Sequence, residues 1–302
     1  MKLPLTIAAL LFLFVPKPVV SQELSPRAYW PAPKGTQIVT LGMIWSDGDT
    51  IPDPSLPISG VNSEITTFAL GYLRTLDLLG RTANFVIELP YSKGETVGSL
   101  REDGRDLVAD YDGTGDISAT LSINLLGAPS MDLAGFRDLR RKPRPILGAS
   151  LKVVAPTGRY DSDKLINVGS NRWAAKAELG YIGLLTDKWH YEFQLGAWLF
   201  ADNDDFLGRR KEQDPLGALE VHIVRRFSPA FWAALDMNFY TGGRSTVGGR
   251  RLNDIQRDSK FGFTLAYPFA GANVIKFGWH FGSVNDSDED FDVINLSYSR
   301  LF

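Results

Sequence analysis

The sequence repeats one pattern along most of its length: segments of about ten residues in which apolar and polar side chains alternate. A period of two places successive side chains on opposite faces of a β-strand. In the first segment, TQIVTLGMIW, one face carries Val39, Leu41, Met43 and Trp45. Segments of this kind begin at residues 36, 65, 83, 117, 146, 172, 189, 216, 230, 260, 273 and 291. One-sided apolar strands of this length are typical of membrane barrels, so we predict an all-β fold, an antiparallel transmembrane β-barrel of about 12 strands.

The connections between the segments alternate between long and short, as in barrels whose short turns face the periplasm. The link 46–64 is long, the turn 77–80 is short, and the alternation then continues with one exception. The exception is the long link 127–145, where Leu133, Phe136 and Leu139 recur at near-helical spacing on the short-turn side. This spacing predicts a short interfacial helix with a basic end. A solvated excursion without a role explains the same residues as well.

The start of the chain indicates export. Residues 1–21 contain a lysine, an apolar run and small-to-medium residues before a plausible cleavage point, which is the pattern of a secretory signal peptide. The apolar run is too short for a permanent anchor through a bilayer of roughly 30 Å. We therefore expect a removed signal peptide (1–21), a periplasmic N-terminal segment (22–35) and a transmembrane β-barrel (36–302).

Composition excludes several classes of function. The chain has 32 basic and 35 acidic residues and no basic stripe with interleaved aromatics, so nucleic acid is not an expected partner. It has no cysteine, which excludes a disulfide framework, and no cluster of metal ligands can be assembled. The sequence thus predicts no cofactor and no metal.

The strand parity that places apolar side chains toward lipid places charged ones in the lumen. Ionisable groups at membrane depth face water or a partner. The residues expected on the lumen side, as lining of a solute pathway, are Glu88, Lys152, Arg172, Lys176, Glu178, His190, Glu192, Glu220, His222, Asp236, Lys260, Lys276 and His280. Mixed signs argue against strong ion selectivity, and many of these charges could simply pair and fill the barrel.

A lumen of this kind favours a passive channel for small solutes. About eight strands are filled by side chains, whereas 16 to 18 enclose an open channel. Twelve strands predict a narrow or partly plugged lumen, in which Lys-Glu bridges and inward loops decide permeability. Two alternatives stay open: a structural or adhesive barrel acting through its loops, and a barrel hydrolase. The hydrolase is disfavoured because no catalytic nucleophile turn such as G-x-S-x-G occurs, so we expect no catalytic residues and no enzyme.

A distinctive loop follows the fifth segment. APTGRYD begins where a strand should reach the outside, and NVGSNRW leads back toward the membrane. Proline cannot donate to a sheet ladder and glycine permits a tight reversal. We expect this mouth loop either to constrict the lumen or to act as a structural clasp; the residues concerned are Pro156, Thr157, Gly158, Asn167, Ser170 and Asn171, together with Arg172.

The stretch 155–181 resembles the outer-membrane family described as "Putative MetA-pathway of phenol degradation", a family of expected transporters. The resemblance extends through NLLGAP at 124–129, DNDDF at 202–206 and FYTGGRSTVGG at 239–249, and covers most of the mature chain. It implies a barrel in the outer membrane of a Gram-negative cell, associated with uptake of small, aromatic or hydrophobic molecules. Membrane lipid, lipopolysaccharide and a small-molecule solute are then the expected partners.

The chain ends in FDVINLSYSRLF, whose lipid-facing residues include Leu296, Tyr298 and Phe302. This last strand must pair with the first, because an open sheet edge cannot persist in hydrocarbon. A terminal aromatic resembles the signal by which the outer-membrane assembly machinery recognises barrels, so we assign Tyr298 and Phe302 to that signal. Arg300 departs from the pattern, which prefers an aromatic there, and its head group could snorkel to water.

Overall fold

A computed structural model describes residues 26–49, 58–100, 106–164, 166–228, 230–281 and 291–302. The predicted signal peptide 1–21 lies outside these residues. The strands are β1 (Gln37–Asp49), β2 (Ile58–Leu78), β3 (Arg81–Leu100), β4 (Asp106–Thr114), β5 (Ser118–Leu126), β6 (Ile146–Val154), β7 (Ala174–Leu184), β8 (Trp189–Phe200), β9 (Asn203–Phe206), β10 (Arg209–Gln213), β11 (Leu216–Arg226), β12 (Trp232–Gly242), β13 (Ser245–Val247), β14 (Arg250–Arg251), β15 (Gln256–Phe269), β16 (Asn273–Phe281) and β17 (Phe291–Leu301). One helix, α1, spans Leu133–Arg141.

Twelve of these strands close into an antiparallel barrel. Each pairs with its neighbours in the order β1, β2, β3, β5, β6, β7, β8, β11, β12, β15, β16 and β17. The barrel closes between the first and last strands, in a register that runs from Ile38 opposite Leu301 to Gly48 opposite Phe291. The prediction of a 12-stranded barrel sealed by its chain ends is confirmed.

The sequence pattern missed the structure of the outer loops. Strands β2 and β3 continue well past the predicted segments, and β4 pairs with the distal half of β3 from Tyr91 to Ser99. Strands β9, β10, β13 and β14 form a second, four-stranded sheet. These loop strands have polar residues on both faces, for example RRKEQ in β10, so they lack the one-sided apolar alternation that lipid imposes.

The polarity of the barrel is the reverse of that in a water-soluble protein. Leu195 is 65% exposed at the centre of β8, whereas its neighbour Gln194 is 1% exposed. Across the sheet, Glu220 and His222 are also buried and Leu235 is exposed. An apolar outer surface over a polar interior is the arrangement that a bilayer stabilises.

The link 127–145 contains the predicted helix. Asp132 caps α1 by accepting a hydrogen bond from the Gly135 backbone N–H at 2.8 Å. Leu139 is buried in a cluster with Tyr29, Ile146 and Ile182. The helix therefore packs against the N-terminal segment and the periplasmic ends of β6 and β7. In the described part of the chain, no helix is long and apolar enough to cross a membrane.

The assignment of the lipid-facing band can be tested by placing a charge on the face of β8 that contacts lipid. We expect Leu195→Arg to lower the free energy of unfolding by about 2–4 kcal/mol, because arginine at the bilayer midplane loses its hydration. Leu185→Arg is the matched control: Leu185 is 58% exposed but lies in the turn after β7, at the membrane edge. Urea unfolding of the protein in lipid vesicles measures both values. Equal losses for the two variants would contradict the assignment of the lipid-facing band.

Candidate functional site: the barrel lumen

The structure places twelve of the thirteen predicted lumen residues on barrel strands, and Arg172 lies just before β7. On β7, β8, β11 and β12 the charged side chains are almost completely buried. Lys152, Lys260, Lys276 and His280 are less buried. All three histidines have strand parity that faces the interior. We call the lumen surface of β7, β8, β11 and β12 the filled wall.

An aspartate organises part of the filled wall. Glu192, His222 and Asp236 lie in one register row across β8, β11 and β12. Asp236 Oδ1 lies 2.7 Å from His222 Nδ1, and its Oδ2 accepts a hydrogen bond from Thr264 Oγ1 at 2.6 Å. Oδ2 also lies 3.3 Å from Nε2 of His280, which reaches across the side-chain-free position Gly262. This carboxylate on β12 therefore links three other strands, β11, β15 and β16.

A lysine on the same wall links two acids. Lys176 Nζ lies 2.7 Å from Glu178 and also forms an ion pair with Glu220. Removing one partner of a buried ion pair typically destabilises a protein by about 3–5 kcal/mol, because the remaining charge is left uncompensated. A second pair, Lys152 with Glu88 at 2.8 Å, is more exposed. Opposite charges thus neutralise one another and fill this side of the barrel.

The N-terminal segment enters the lumen from the periplasmic end. The Arg27 backbone N–H donates to Glu192 Oε2 at 2.8 Å, and the Tyr29 hydroxyl donates to Glu178 Oε1 at 2.9 Å. The Trp30 ring stacks on His190 with a centroid separation of 5.4 Å. The expectation of a separate periplasmic segment did not include this insertion. The sequence predicted that Lys-Glu bridges and inward loops narrow the lumen. The described residues contain such bridges, and the N-terminal segment narrows the lumen in addition.

Two glycines provide the space for the Tyr29 ring. Gly148 on β6 and Gly180 on β7 lie opposite each other in the register, and a Cβ atom added to either would overlap the ring. The ring therefore lies flat against backbone. This close approach explains why the lumen face of two adjacent strands carries glycine at the same level. The sequence showed these glycines but contained no signal for their partner.

The opposite side of the lumen has small side chains. We call the lumen surface of β17, β1 and β2 the open wall; the neighbouring strand β16 carries the larger residues Lys276 and His280. The residues of the open wall are partly exposed, although strand parity directs them inward; they include Thr40, Gly42, Ala69, Gly71, Asn295, Ser297 and Ser299. Thr120 and Ser122 on β5 are equally small but buried. Because small, partly exposed residues line one wall and large, buried ones the other, we infer that water-accessible space lies off the barrel axis, along the open wall.

The mouth loop is held by an aspartate that the sequence did not single out. Asp116 accepts hydrogen bonds from the backbone N–H groups of Gly158 and Ser170, each at 2.8 Å. Thr157 Oγ1 accepts one from the Ile117 backbone N–H at 2.9 Å. An isolated aspartate just before a strand carries no distinguishing pattern, which explains why it was missed.

The remaining loop residues also serve the loop. Asn167 Oδ1 accepts a hydrogen bond from the Asp161 N–H at 2.8 Å, and Asn171 donates to Asn203 Oδ1 at 3.0 Å. Arg172 donates to Gln213, and its guanidinium carbon lies 4.6 Å from the Phe200 ring centroid. Burial lowers the pKa of Arg172 to about 10, with Asp202 and Asp116 opposing the shift, so it stays charged at neutral pH. These contacts favour a structural clasp.

The described residues contain no group of three or more His, Asp or Glu side chains placed to hold a metal ion. Histidines in the lumen are instead engaged by acids. His190 and His222 meet acids within the filled wall, and His280 reaches Asp236 from β16, so these contacts pack the barrel interior.

Comparisons with known proteins agree with this architecture. The family model described as "Putative MetA-pathway of phenol degradation" matches residues 46–290. No curated protein matches the chain. Among solved structures, an outer membrane channel of Pseudomonas putida F1 is 24% identical, with a TM-score of 0.77 over 93% of this chain and 100% of that one.

Autotransporter barrels are more distant. The β-domain of the Bordetella autotransporter BrkA is 11% identical, with a TM-score of 0.54 over 89% of this chain and 100% of that one. The transport unit of AIDA-I from Escherichia coli is 10% identical, with a TM-score of 0.51 over 88% and 90% of the two chains. At these identities the likeness concerns the fold, an outer-membrane barrel.

Gly180, which lies against the Tyr29 ring, provides a test of whether the N-terminal segment is inserted in the lumen. We expect Gly180→Ala to displace the Tyr29 ring and release the N-terminal segment, because a new Cβ would overlap the ring. The two hydrogen-bond contacts of the Tyr29 hydroxyl, with Glu178 and with Ser150, are worth only about 2–4 kcal/mol together. The released segment should be cleaved by trypsin after Arg27 and the conductance should rise. Gly42→Ala is the control, since its Cβ would meet only Ala69 at ordinary distance, 3.7 Å. Equal protection of the two variants from trypsin would contradict the insertion.

Proposed function

The chain belongs to the family described as "Putative MetA-pathway of phenol degradation", and we propose that it is a passive outer-membrane channel for small solutes. The observation that carries this proposal is the set of small, partly exposed residues on the lumen side of the open wall. A barrel that served only as an anchor would have no need for small, accessible residues on one side of a lumen that is filled on the other.

The lining of the open wall favours uncharged or weakly polar solutes. Hydroxyl and amide groups such as those of Thr40, Ser297, Ser299 and Asn295 can accept and donate hydrogen bonds without attracting one sign of charge. On the filled wall, Lys176 is compensated by Glu178 and Glu220. We therefore propose a pathway for small solutes that include aromatic and hydrophobic ones, with weak selectivity between cations and anions.

A barrel hydrolase is less well supported. Each hydrogen-bond contact given for a histidine ring is to an acid: His190 to Glu192, and His222 and His280 to Asp236. Nucleophilic catalysis needs a nucleophile beside the base, and these contacts place an acid there. We therefore assign no catalytic residue. Among the described residues, the feature that favours the adhesive alternative is the small loop sheet of β9, β10, β13 and β14.

Partners follow from the location that we propose. Leucines and aromatic rings on the exterior contact membrane lipid, and the loop strands on the outer side adjoin lipopolysaccharide. Phe302 is 67% exposed at the chain end, and the Arg300 guanidinium carbon lies 5.3 Å from its ring centroid. We propose that this end, with Tyr298, is recognised by the assembly machinery despite the arginine.

Channel activity is measured most simply by swelling of liposomes that contain the protein in a solution of a small sugar or of phenol. We expect swelling with the wild-type protein and none with empty liposomes. Protein that is folded by heat-dependent gel migration, yet gives neither swelling nor conductance in a bilayer, would overturn the proposed function.

The position of the pathway is tested by two adjacent substitutions on β1. Gly42→Trp adds a large ring on the open wall, where the nearest atom to a new Cβ is Ala69 Cβ at 3.7 Å, so it should fit and narrow the pathway. We expect conductance to fall several-fold. Leu41→Trp adds the same ring on the lipid face, where Leu41 is exposed, and should leave conductance unchanged. Equal conductance of both variants would show that solutes do not pass along the open wall.

A further inference from the structure

We propose that the periplasmic end of the lumen contains a binding site for a small organic carboxylate, formed by Arg27, Arg140 and Arg226 with the indole N–H of Trp30. This inference rests on the proposed function, because the bound carboxylate would be a solute of the channel. It adds a class of solute that the lining of the open wall does not suggest.

Three separate elements bring the arginines together. Arg27 belongs to the inserted segment, Arg140 to α1, and Arg226 is the last residue of β11. Arg226 lies opposite Trp232 in the register, and the Arg27 guanidinium carbon is 5.4 Å from the Trp232 ring centroid. On the other side, Trp30 packs against the cluster that contains Leu139, the neighbour of Arg140.

The hydrogen-bond donors at this place lack acceptors. Arg27 Nε, Arg140 Nε and Trp30 Nε1 are buried, and among the described residues none of them has a hydrogen-bond partner. An unpaired buried donor costs about 1–3 kcal/mol, and native proteins normally satisfy such groups with protein, water or an ion. Because all three groups are donors, the missing partner is an acceptor. A carboxylate has two oxygens that accept several hydrogen bonds.

Like charges are concentrated here. Burial lowers the pKa of Arg27 to about 10; Glu192 opposes that shift, and Arg140 and Arg226 add to it by repulsion. Burial lowers the pKa of Arg140 as well, and repulsion from Arg226 contributes. An anion between the three guanidinium groups would relieve this repulsion.

The nearby acid is already engaged. Glu192 accepts the Arg27 backbone N–H at 2.8 Å and lies 3.0 Å from His190 Nε2. Arg226 uses Nη2 to donate to the Asp187 backbone oxygen at 2.8 Å, which fixes its position without neutralising its charge. Among the described residues, positive charge at this end of the lumen is therefore only partly compensated.

The Arg27 backbone is held in a sparsely populated conformation. Its φ angle is 68°, in the left-handed region that residues other than glycine rarely adopt. The Arg27–Glu192 hydrogen bond and the stack of the guanidinium on Trp30, 4.6 Å from the ring centroid, hold it there. Strain of this kind is concentrated at functional sites, where it fixes the geometry before a ligand arrives.

The surroundings favour a carboxylate with an apolar body. The rings of Trp30, Trp232 and Phe136 lie beside the arginines, and the Arg140 guanidinium carbon is 5.0 Å from the Phe136 centroid. Arginine beside aromatic rings can bind the acid group while the rings contact the rest of the molecule. Benzoate combines these two properties and serves as the probe.

The test measures benzoate binding to the folded full-length protein in detergent by titration calorimetry. We expect saturable binding to the wild type and affinity at least about tenfold weaker for Arg140→Gln, which loses one charged hydrogen bond. Arg141→Gln is the matched control on the same helix, because Arg141 is exposed and its nearest acid is Asp138 at 3.8 Å. It should bind benzoate like the wild type. Heat-dependent gel migration confirms that each variant is folded.

Two further ligands identify what is recognised. Phenol, which has the same ring without the charge, should bind the wild type and Arg140→Gln alike. Inorganic phosphate binding as tightly as benzoate would overturn the assignment to carboxylates. Equal benzoate affinity of Arg140→Gln and Arg141→Gln, or none in the wild type, would overturn the site. If sugar or phenol still causes swelling in that case, the proposed function stands; if swelling is also absent, both fail.

Discussion

The pairing of β1 with β17 is the constraint on which the rest of the molecule depends. Every backbone N–H and C=O inside a bilayer must find a partner in the protein, and a sheet meets that condition only if it has no edge. Eleven consecutive residue pairs, from Ile38–Leu301 to Gly48–Phe291, close the barrel. Once the barrel is closed, successive side chains along each strand alternate between two environments: one set contacts lipid and must be apolar, and the other fills or lines the lumen.

The lumen divides into two unequal walls because most of the large, fully buried polar residues lie on one side. Lys176 with its two acids, and Asp236 with His222, occupy the filled wall, while Thr264 on β15 and His280 on β16 reach Asp236 from outside it. The inserted segment is attached to that same wall through Glu178 and Glu192. Solutes are therefore left with the side lined by hydroxyls and glycine, while positive charge accumulates where the segment, α1 and β11 meet.

The sequence predicted the part of the fold that lipid dictates. Twelve alternating segments corresponded to twelve barrel strands, and the parity of His190, His222 and Asp236 indicated an inward orientation. The loop strands β9 and β10 were not predicted, since outside the bilayer no one-sided apolar pattern is imposed. The site was predictable only in part: Tyr29 and Arg27 precede the barrel by a few residues, and their contacts with Glu178 and Glu192 span 149 and 165 positions along the chain. Contacts of such range leave no local signal.

Because the chain contains no cysteine, single introduced thiols can show directly whether the solute pathway runs off-axis along the open wall. Single cysteines at Ser297, Gln194 and Leu296 place one thiol on the open wall, on the filled wall and on the lipid face. With the protein in liposomes, a membrane-impermeant thiol reagent should modify Ser297→Cys rapidly and the other two at least about tenfold more slowly, because reaction needs water at the thiolate. Modification of Gln194→Cys as fast as Ser297→Cys would show that both walls line the water-filled space, and would contradict a pathway confined to the open wall.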